Sequence, residues 1–353
     1  MRLEKRHRAS PLALGIASVA AIGFTLLVGT LLVRWAGAPV GRTYALLLQG
    51  GFGSVFAWSE TLTRAVPLIL TGLAAAVAFR ARLFNIGAEG QLYAGALAAV
   101  AVGGLHGGTG LAWPVWLLFP AMLAAAALAG ALLLLGPALL KRHLGVDEVV
   151  TTLLLNFVAL LAVSALLDGP MKDPTALGWP QSVALQEPME LSKLVPQNRV
   201  HTGLPIACGL AVGLWLLLQR SVAGFGIRAL GANPRAAGFA GVPVTRTVVL
   251  VAMLSGGLAG LAGAVEVAGR TGYVTLDMSP GYGYTGIVIA MLAALHPLGV
   301  VAAAVFVAGV QVGADSMSRT VGVPTYIADV IVSASLLSVL VASLCAQYRV
   351  RRT

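Results

Sequence analysis

Few side chains in this sequence are equipped for chemistry, and those that are stand among apolar neighbours. The stretch FRARLFNIGAEGQLYAGALAA, residues 79–99, places Asn85, Glu89 and Gln91 within seven positions between two long apolar runs. Asn156 stands in TTLLLNFVAL, Glu266 in AGAVEVAGR and Asp329 in YIADVIVSASLLS. The stretch YVTLDMSPGYGYTG brings Asp277 together with Tyr273, Tyr282 and Tyr284. Polar and ionisable groups cost free energy in hydrocarbon, so those present face a cavity, a pathway or a partner helix. Asn156 and Asp329 fit a pathway or plain interhelical hydrogen bonding equally well. Glu266 precedes Arg270 by four residues, the helical spacing of a local ion pair. The tyrosines read as a lining or as interface anchors.

Catalytic patterns are missing. The sequence has no GxxxxGK[ST] loop to cradle a nucleotide phosphate. It has no HExxH and no cysteine–histidine cluster with metal spacing. No serine occupies a GxSxG elbow. The histidines His7, His106, His143, His201 and His296 fall at expected helix ends or loops, where an interfacial role is the simpler account. Cys208 and Cys345 lie in apolar segments and read as packing residues. The chain is therefore expected to be a non-enzyme with no metal site.

The elements that would carry these groups follow from composition. The 353 residues are 58% hydrophobic and 10% charged, with a mean hydropathy of +0.90. A soluble domain carries about 25% charged residues, so this chain lacks the polar surface to face water. The net charge of +10 does not point to nucleic acid, because the basic residues are scattered between apolar runs. A spanning helix takes about 20 apolar residues. Such runs fall at 12–33, 62–79, 88–105, 112–140, 150–167, 203–219, 247–266, 284–296, 298–313 and 325–346. The first is too long for a signal-peptide core and reads as a retained helix. His296 and Pro297 break an apolar run over 286–312, giving two short helices in a hairpin or one kinked helix.

The expected fold is thus an all-α polytopic membrane protein of about ten transmembrane helices, forming a single domain over 1–353. Ten spans place fifteen Lys and Arg on the side of both termini and eight on the other, which assigns the termini to the cytoplasm. Nine or eleven spans remain alternatives. Two connections are long: 168–202 outside, and 220–246 inside.

LFNIGAEGQLYAG and DMSPGYGYTGIVIA each follow a small-residue-rich span, and the topology puts them on opposite faces. Corresponding interruptions in two inverted halves point to a transport site, although small residues also serve close helix packing. In GANPRAAGFAGV, Asn233 is a strong helix cap and Pro234 suits the first turn.

These residues also resemble a known family. LFNIGAEGQLYAGALAA, LGVDEVVTTLLLNFVA, GIRALGANPRAAGFAGV, LSGGLAGLAGAVEV and SPGYGYTGIVIAMLAALHPLGVVAAAVF occur in order from about residue 60 onward. Together they resemble the membrane subunits of bacterial ABC importers for nucleosides, within the ribose, simple-sugar and branched-chain amino-acid permease group. LAALHPLG departs from the family's more polar turn, which bears on substrate preference. The resemblance implies a permease domain in the inner membrane, with ATP and Mg handled by a partner ATPase. It also implies a substrate-binding lipoprotein outside, docking near 168–202, and a second, different permease subunit. Phe84, Asn85, Glu89, Gln91, Asn156, Tyr282 and Tyr284 are the expected substrate pathway, amides and carboxylate for ribose hydroxyls and aromatic faces for a base. Arg228, Gly231, Asn233, Pro234 and Arg235 are the expected ATPase-coupling segment. A simple-sugar permease is the near alternative, and an ion-coupled secondary transporter using Glu89 or Asp329 the distant one.

Overall fold

Backbone groups in hydrocarbon have no water to bond, so an apolar run satisfies them by closing into a helix. The computed structural model describes residues 2–5, 11–104 and 114–322, isolated positions between 324 and 341, and 348–351. Asp329, His7, His106, Cys345 and most of the expected span 325–346 lie outside the described residues. In chain order the elements are β1 (Arg2–Lys5), α1 (Pro11–Trp35), α2 (Val40–Phe52), α3 (Val55–Arg80), α4 (Ala88–Gly103), α5 (Val115–Leu144) and α6 (Glu148–Asp168). Then follow α7 (Gly203–Arg220), α8 (Val222–Ala232), α9 (Pro234–Phe239), α10 (Val244–Glu266), α11 (Tyr282–Leu292), α12 (Pro297–Val321) and β2 (Tyr348–Arg351).

The chain divides into two compact units, residues 1–61 with 306–353, and residues 62–305. In the first, β1 and β2 pair antiparallel, Arg2 opposite Arg351, a four-residue ribbon that an all-α reading does not include. The helical stretch Gly23–Trp35 meets α2 at a bend of 114°. Gly37 makes the turn at a φ of 73°, where a side chain would be strained. The sequence reading had no helix at α2. Its segment, VGRTYALLLQGGF, is too polar and glycine-rich to register as a span, yet it buries Thr43, Leu47 and Gly51. Leu47 joins Ala314, Met317, Ile327 and Ile331 in an apolar cluster.

The second unit is organised around α10, which packs along α5 and α4. Gly256, Gly260 and Gly263 supply the closeness: a Cβ at Gly260 would strike the Ala126 carbonyl, and one at Gly263 the Leu92 carbonyl. Small residues of this kind let membrane helices bring their backbones together. Of the two roles left open for the run Gly256 to Ala264, close packing is the one the structure uses.

At His296 the chain forms two helices. Ala294 and Leu295 both take left-handed conformations, φ 49° and 60°, ending α11. Ile289 and Val300, four residues before and after the break, both abut Gly72 of α3, so the chain reverses there. The second helix is longer than expected, 25 residues.

Six described helices are long and apolar enough to cross a membrane, seven if the bent pair counts as one span. The expected ten is not confirmed among the described residues, which leave out most of 325–346. α4 has 16 residues and α11 only 11, lengths of about 24 and 16 Å at 1.5 Å per residue. A hydrocarbon core is about 30 Å thick. Each short helix is preceded by a stretch of non-helical chain.

The connection 168–202 is folded rather than loose. Isolated bridges pair Lys172 with Ser182, Gln181 with Thr275 and Lys193 with His201. His201 is buried, and its Nδ1 accepts the Gly203 N–H at 3.1 Å. Burial pushes its pKa down to about 4, so the neutral ring is a core residue and not an interfacial one.

Candidate functional site

The two interruptions that the sequence pairs come together in space. Gly283, near the start of α11, lies directly against the backbone of Ala88 and Glu89 at the start of α4. A side chain at 283 would collide with that backbone, so glycine is required by the approach itself. The Glu89 carboxylate accepts the Gly283 N–H at 2.6 Å. The Ser279 hydroxyl beside it accepts the Tyr282 N–H at 3.0 Å. A helix N-terminus carries unsatisfied N–H groups and partial positive charge. Glu89 therefore stands in the first turn of one such end while serving the other.

The non-helical chain leading into α4 is fastened by a polar stripe on α6. Glu148, Thr152 and Asn156, four residues apart, share one buried face of that helix. The Phe84 N–H donates to Glu148 (3.2 Å), the Ile86 N–H to the Thr152 hydroxyl (3.2 Å) and the Gly90 N–H to the Asn156 carbonyl oxygen (2.8 Å). The Asn156 amide in turn donates to the Ile86 carbonyl (2.8 Å) and the Tyr284 hydroxyl (3.1 Å). Irregular backbone at membrane depth is tolerated where protein replaces lipid around it, and α6 supplies that replacement.

Asn85 and Gln91 bond each other twice, each contact 2.8 Å. Asn85 also donates to Ser255 of α10 at 3.0 Å and accepts the Gly87 N–H at 3.0 Å. On the other interruption, Tyr282 is fully buried at the start of α11, two residues before the span expected from 284. Its carbonyl accepts from Thr71 at 3.0 Å. Arg270 donates both to the Tyr282 hydroxyl (2.9 Å) and to Glu266 (2.6 Å), the expected i,i+4 ion pair. The Tyr93 hydroxyl donates to the Leu276 carbonyl.

Five of the seven expected pathway residues, Asn85, Glu89, Gln91, Asn156 and Tyr282, are thus brought into one buried, hydrogen-bonded web. Tyr284 stands at its edge, 39% exposed. Phe84 is apart from it, 42% exposed, stacked edge-on with Phe79 at 5.2 Å and 5.9 Å from the Lys141 ammonium. The sequence reading missed Glu148, Thr152, Ser255 and Thr71. A polar residue every fourth position from 148 to 156 was the available signal.

A second constellation lies at the other expected segment. Asn233 caps α9, its side-chain oxygen accepting from Arg235 N–H (3.0 Å) and Ala236 N–H (3.2 Å), with Pro234 at the first helical position. Gly231 is pressed on the Arg80 carbonyl at the end of α3. One guanidinium nitrogen of Arg228 is buried without a hydrogen-bond partner among the described residues. Arg235 is exposed, and Phe239, which the sequence reading passed over, is 95% exposed.

Near the interruption before α11, Arg64, Lys193, Arg199, Arg270 and Asp277 line an open cavity of about 750 Å³ with Trp179 and Tyr273. No group of three or more metal-ligating side chains is found among the described residues.

Comparison with known proteins adds the following. A family model described as the permease component of a branched-chain amino acid transport system matches residues 57–341. The chain is 35% identical over 322 residues to the guanosine ABC transporter permease protein NupP of Bacillus subtilis, covering 90% of this chain and 91% of that one. A second permease of that bacterium, the guanosine ABC transporter permease protein NupQ, is 30% identical over 252 residues, 70% of this chain and 77% of the relative. The glucose ABC transporter permease protein TsgB13 of Haloferax volcanii is 36% identical over 317 residues, 87% and 82% of the two chains.

Proposed function

Because the chain belongs to the family of permease components of branched-chain amino acid transport systems, we propose that it is one membrane subunit of an ATP-driven importer whose cargo is a nucleoside. The protein is a multi-pass membrane protein and a transport subunit, not itself an enzyme. Such a permease works with an ATPase and a substrate-binding protein. The ATPase holds ATP and Mg and supplies the energy.

The observation that carries the reading is the meeting of two interrupted helices inside a protein of this family. Two short helices start at one buried point, and polar side chains hold them there instead of lipid-facing backbone. Tyr284 and Phe84 keep exposed aromatic surface and are the residues suited to touch a flat base. Asn85, Glu89, Gln91, Asn156 and Tyr282 position the helices that line the path. The capped helix α9, with Arg228, Gly231, Asn233, Pro234 and Arg235, is the segment that receives ATPase closure. Both termini lie in the cytoplasm in this arrangement, and the folded outer connection meets the binding protein. The two guanosine permease relatives from one bacterium favour a pairing of two different permease subunits.

A sugar cargo is the second reading, favoured by the 36% identity to the glucose permease relative. Guanosine and glucose share a hydroxylated ring, so the base decides. The test is uptake of labelled guanosine into proteoliposomes holding the complete transporter, its binding protein and internal ATP. Uptake that glucose does not compete away is expected. Glucose transport without guanosine transport would replace the first reading by the second, and uptake surviving removal of the ATPase would overturn both.

A further inference from the structure

A second cavity lies where the ends of α3 and α5 approach the end of α8 and the start of α10, and of its three cations only Lys141 touches the web above, through Glu148. It encloses about 410 Å³. Its walls are mainly apolar, with Leu83, Leu230, Val244, Val248 and Val251 among them. Arg82, Lys141 and Arg142 also line it, and no acidic residue does.

The three cations are not equivalent. Lys141 is engaged, donating to the Arg82 carbonyl at 2.7 Å and pairing with Glu148. Arg82 and Arg142 make no side-chain hydrogen bond or ion pair among the described residues. Arg82 is moreover held at a φ of 55°, a conformation uncommon for a residue with a long side chain. Alongside, Leu140 and Leu144 of α5 are 40% and 71% exposed. The result is an apolar slot at the ends of membrane helices with two uncompensated guanidiniums beside it.

We propose that this cavity binds an anionic phospholipid, its acyl chain in the slot and its phosphate between Arg82 and Arg142. The charge complementarity is direct: the pocket offers guanidiniums and no carboxylate, and a phosphate accepts bidentate bonds from that group. Basic pockets between membrane helices are suited to anionic headgroups on the cytoplasmic side, and the proposed orientation puts these helix ends there. A soluble partner has polar surface to present, whereas the slot is predominantly apolar. The lipid has a reason to matter for transport, because Pro234, the first residue of α9, lines the same cavity. An occupant braces the coupling segment against α5 and α10. The site rests on the reading above only for its leaflet and for this consequence.

The test uses the complete transporter in nanodiscs of phosphatidylcholine, alone or with a minority of phosphatidylglycerol, compared with the double variant Arg82→Gln, Arg142→Gln. Native mass spectrometry after release into mild detergent counts the phosphatidylglycerol retained. At an anionic surface each cation contributes about fivefold in affinity, so the double variant is expected to bind about thirtyfold more weakly. ATP hydrolysis by the wild type should rise with phosphatidylglycerol, and that of the variant should not, the two being equal in phosphatidylcholine. Val248→Trp, which fills the slot and leaves both arginines, should also lose the lipid. Equal retention by wild type and both variants would overturn the proposal. So would loss of the ATPase from the double variant in pure phosphatidylcholine, which would mark the arginines as a protein-docking surface. Lipid retention is read without any cargo, so a wrong substrate assignment leaves this result intact.

Discussion

The two interruptions of the membrane helices are fastened in different ways. The one before α4 takes its hydrogen bonds from a distant helix, through Glu148, Thr152 and Asn156 of α6. The one before α11 depends on its own flanks, through Ser279 and Arg270, on Thr71 of α3, and on Glu89 of the first. The dependence runs one way for the most part. α6 holds the first interruption, and the first interruption holds the second. Asn156 is the exception, since its amide reaches both, bonding Ile86 on one side and Tyr284 on the other. Disturbing α6 should therefore loosen both, while disturbing the second should spare the first.

Asn156→Leu tests that hierarchy most severely. It leaves the Gly90 N–H and the Ile86 carbonyl without this partner in a buried region, each loss costing about 1–3 kcal/mol. Uptake should be abolished and the melting temperature of the purified complex should fall by several degrees. Amide exchange should rise at both 84–90 and 282–286. Faster exchange confined to one segment would break the hierarchy.

Glu89→Ala comes next, removing one acceptor that joins the two helix starts. Exchange should rise at 282–286 much more than at 84–90, and uptake should be impaired with membrane insertion intact. Glu89→Gln keeps an oxygen for the Gly283 N–H and should retain part of the uptake. If Gln and Ala behave alike, the carboxylate's charge, and not its bond to Gly283, is what α11 needs. Asn85→Ala should likewise impair uptake with insertion intact, since it removes the bonds to Gln91 and Ser255. Thr152→Val is milder, freeing one N–H at about 1 kcal/mol, and should affect 84–90 alone.

Asn233→Ala lies outside both interruptions and should leave their exchange unchanged. Loss of a helix cap costs about 1 kcal/mol, here spent on a six-residue helix with little else to hold it. ATP hydrolysis should become partly uncoupled from uptake, more so in a Pro234, Arg235 double substitution. Unchanged coupling in both would place the ATPase contact elsewhere, with exposed Phe239 the next residue to test.

What the sequence revealed followed from contrast. Asn85, Glu89, Gln91 and Asn156 stand out because each is polar in an apolar run, and the structure gathers all four. Glu148 did not stand out, because a carboxylate at the first turn of a helix is explained by the helix dipole alone. Its pairing with the Phe84 N–H depends on a tertiary neighbour. Tyr282 was misplaced for a related reason: SPGYGYTG carries turn signals, and only the approach of α4 to Gly283 makes its second half helical. The number of spans is less legible, because hydropathy measures apolarity and not length and does not tell the 11 residues of α11 from a full crossing. The polar helix α2 failed from the opposite side.

The smallest effect concerns the outer edge of the second interruption. His201 packs its ring on Gly269, in the π-helical turn Val267–Thr271 that follows α10. Its folded pKa of about 4 lies below the ordinary value of 6.5. A depressed histidine means that the unfolded chain binds a proton that the folded chain refuses. Above pH 6.5 both forms are neutral and the ring contributes no pH dependence. As pH falls from 6.5 toward 4, the unfolded state gains the proton first and stability declines by about 1.4 kcal/mol per pH unit. Between pH 7 and 5, the amide protection factors at 267–271, corrected for the intrinsic exchange rate, should fall while those at 84–90 hold steady. His201→Asn should flatten the profile. An equal loss of protection at both segments would mean that the connection 168–202 clamps both interruptions, and the one-way dependence would have to be given up.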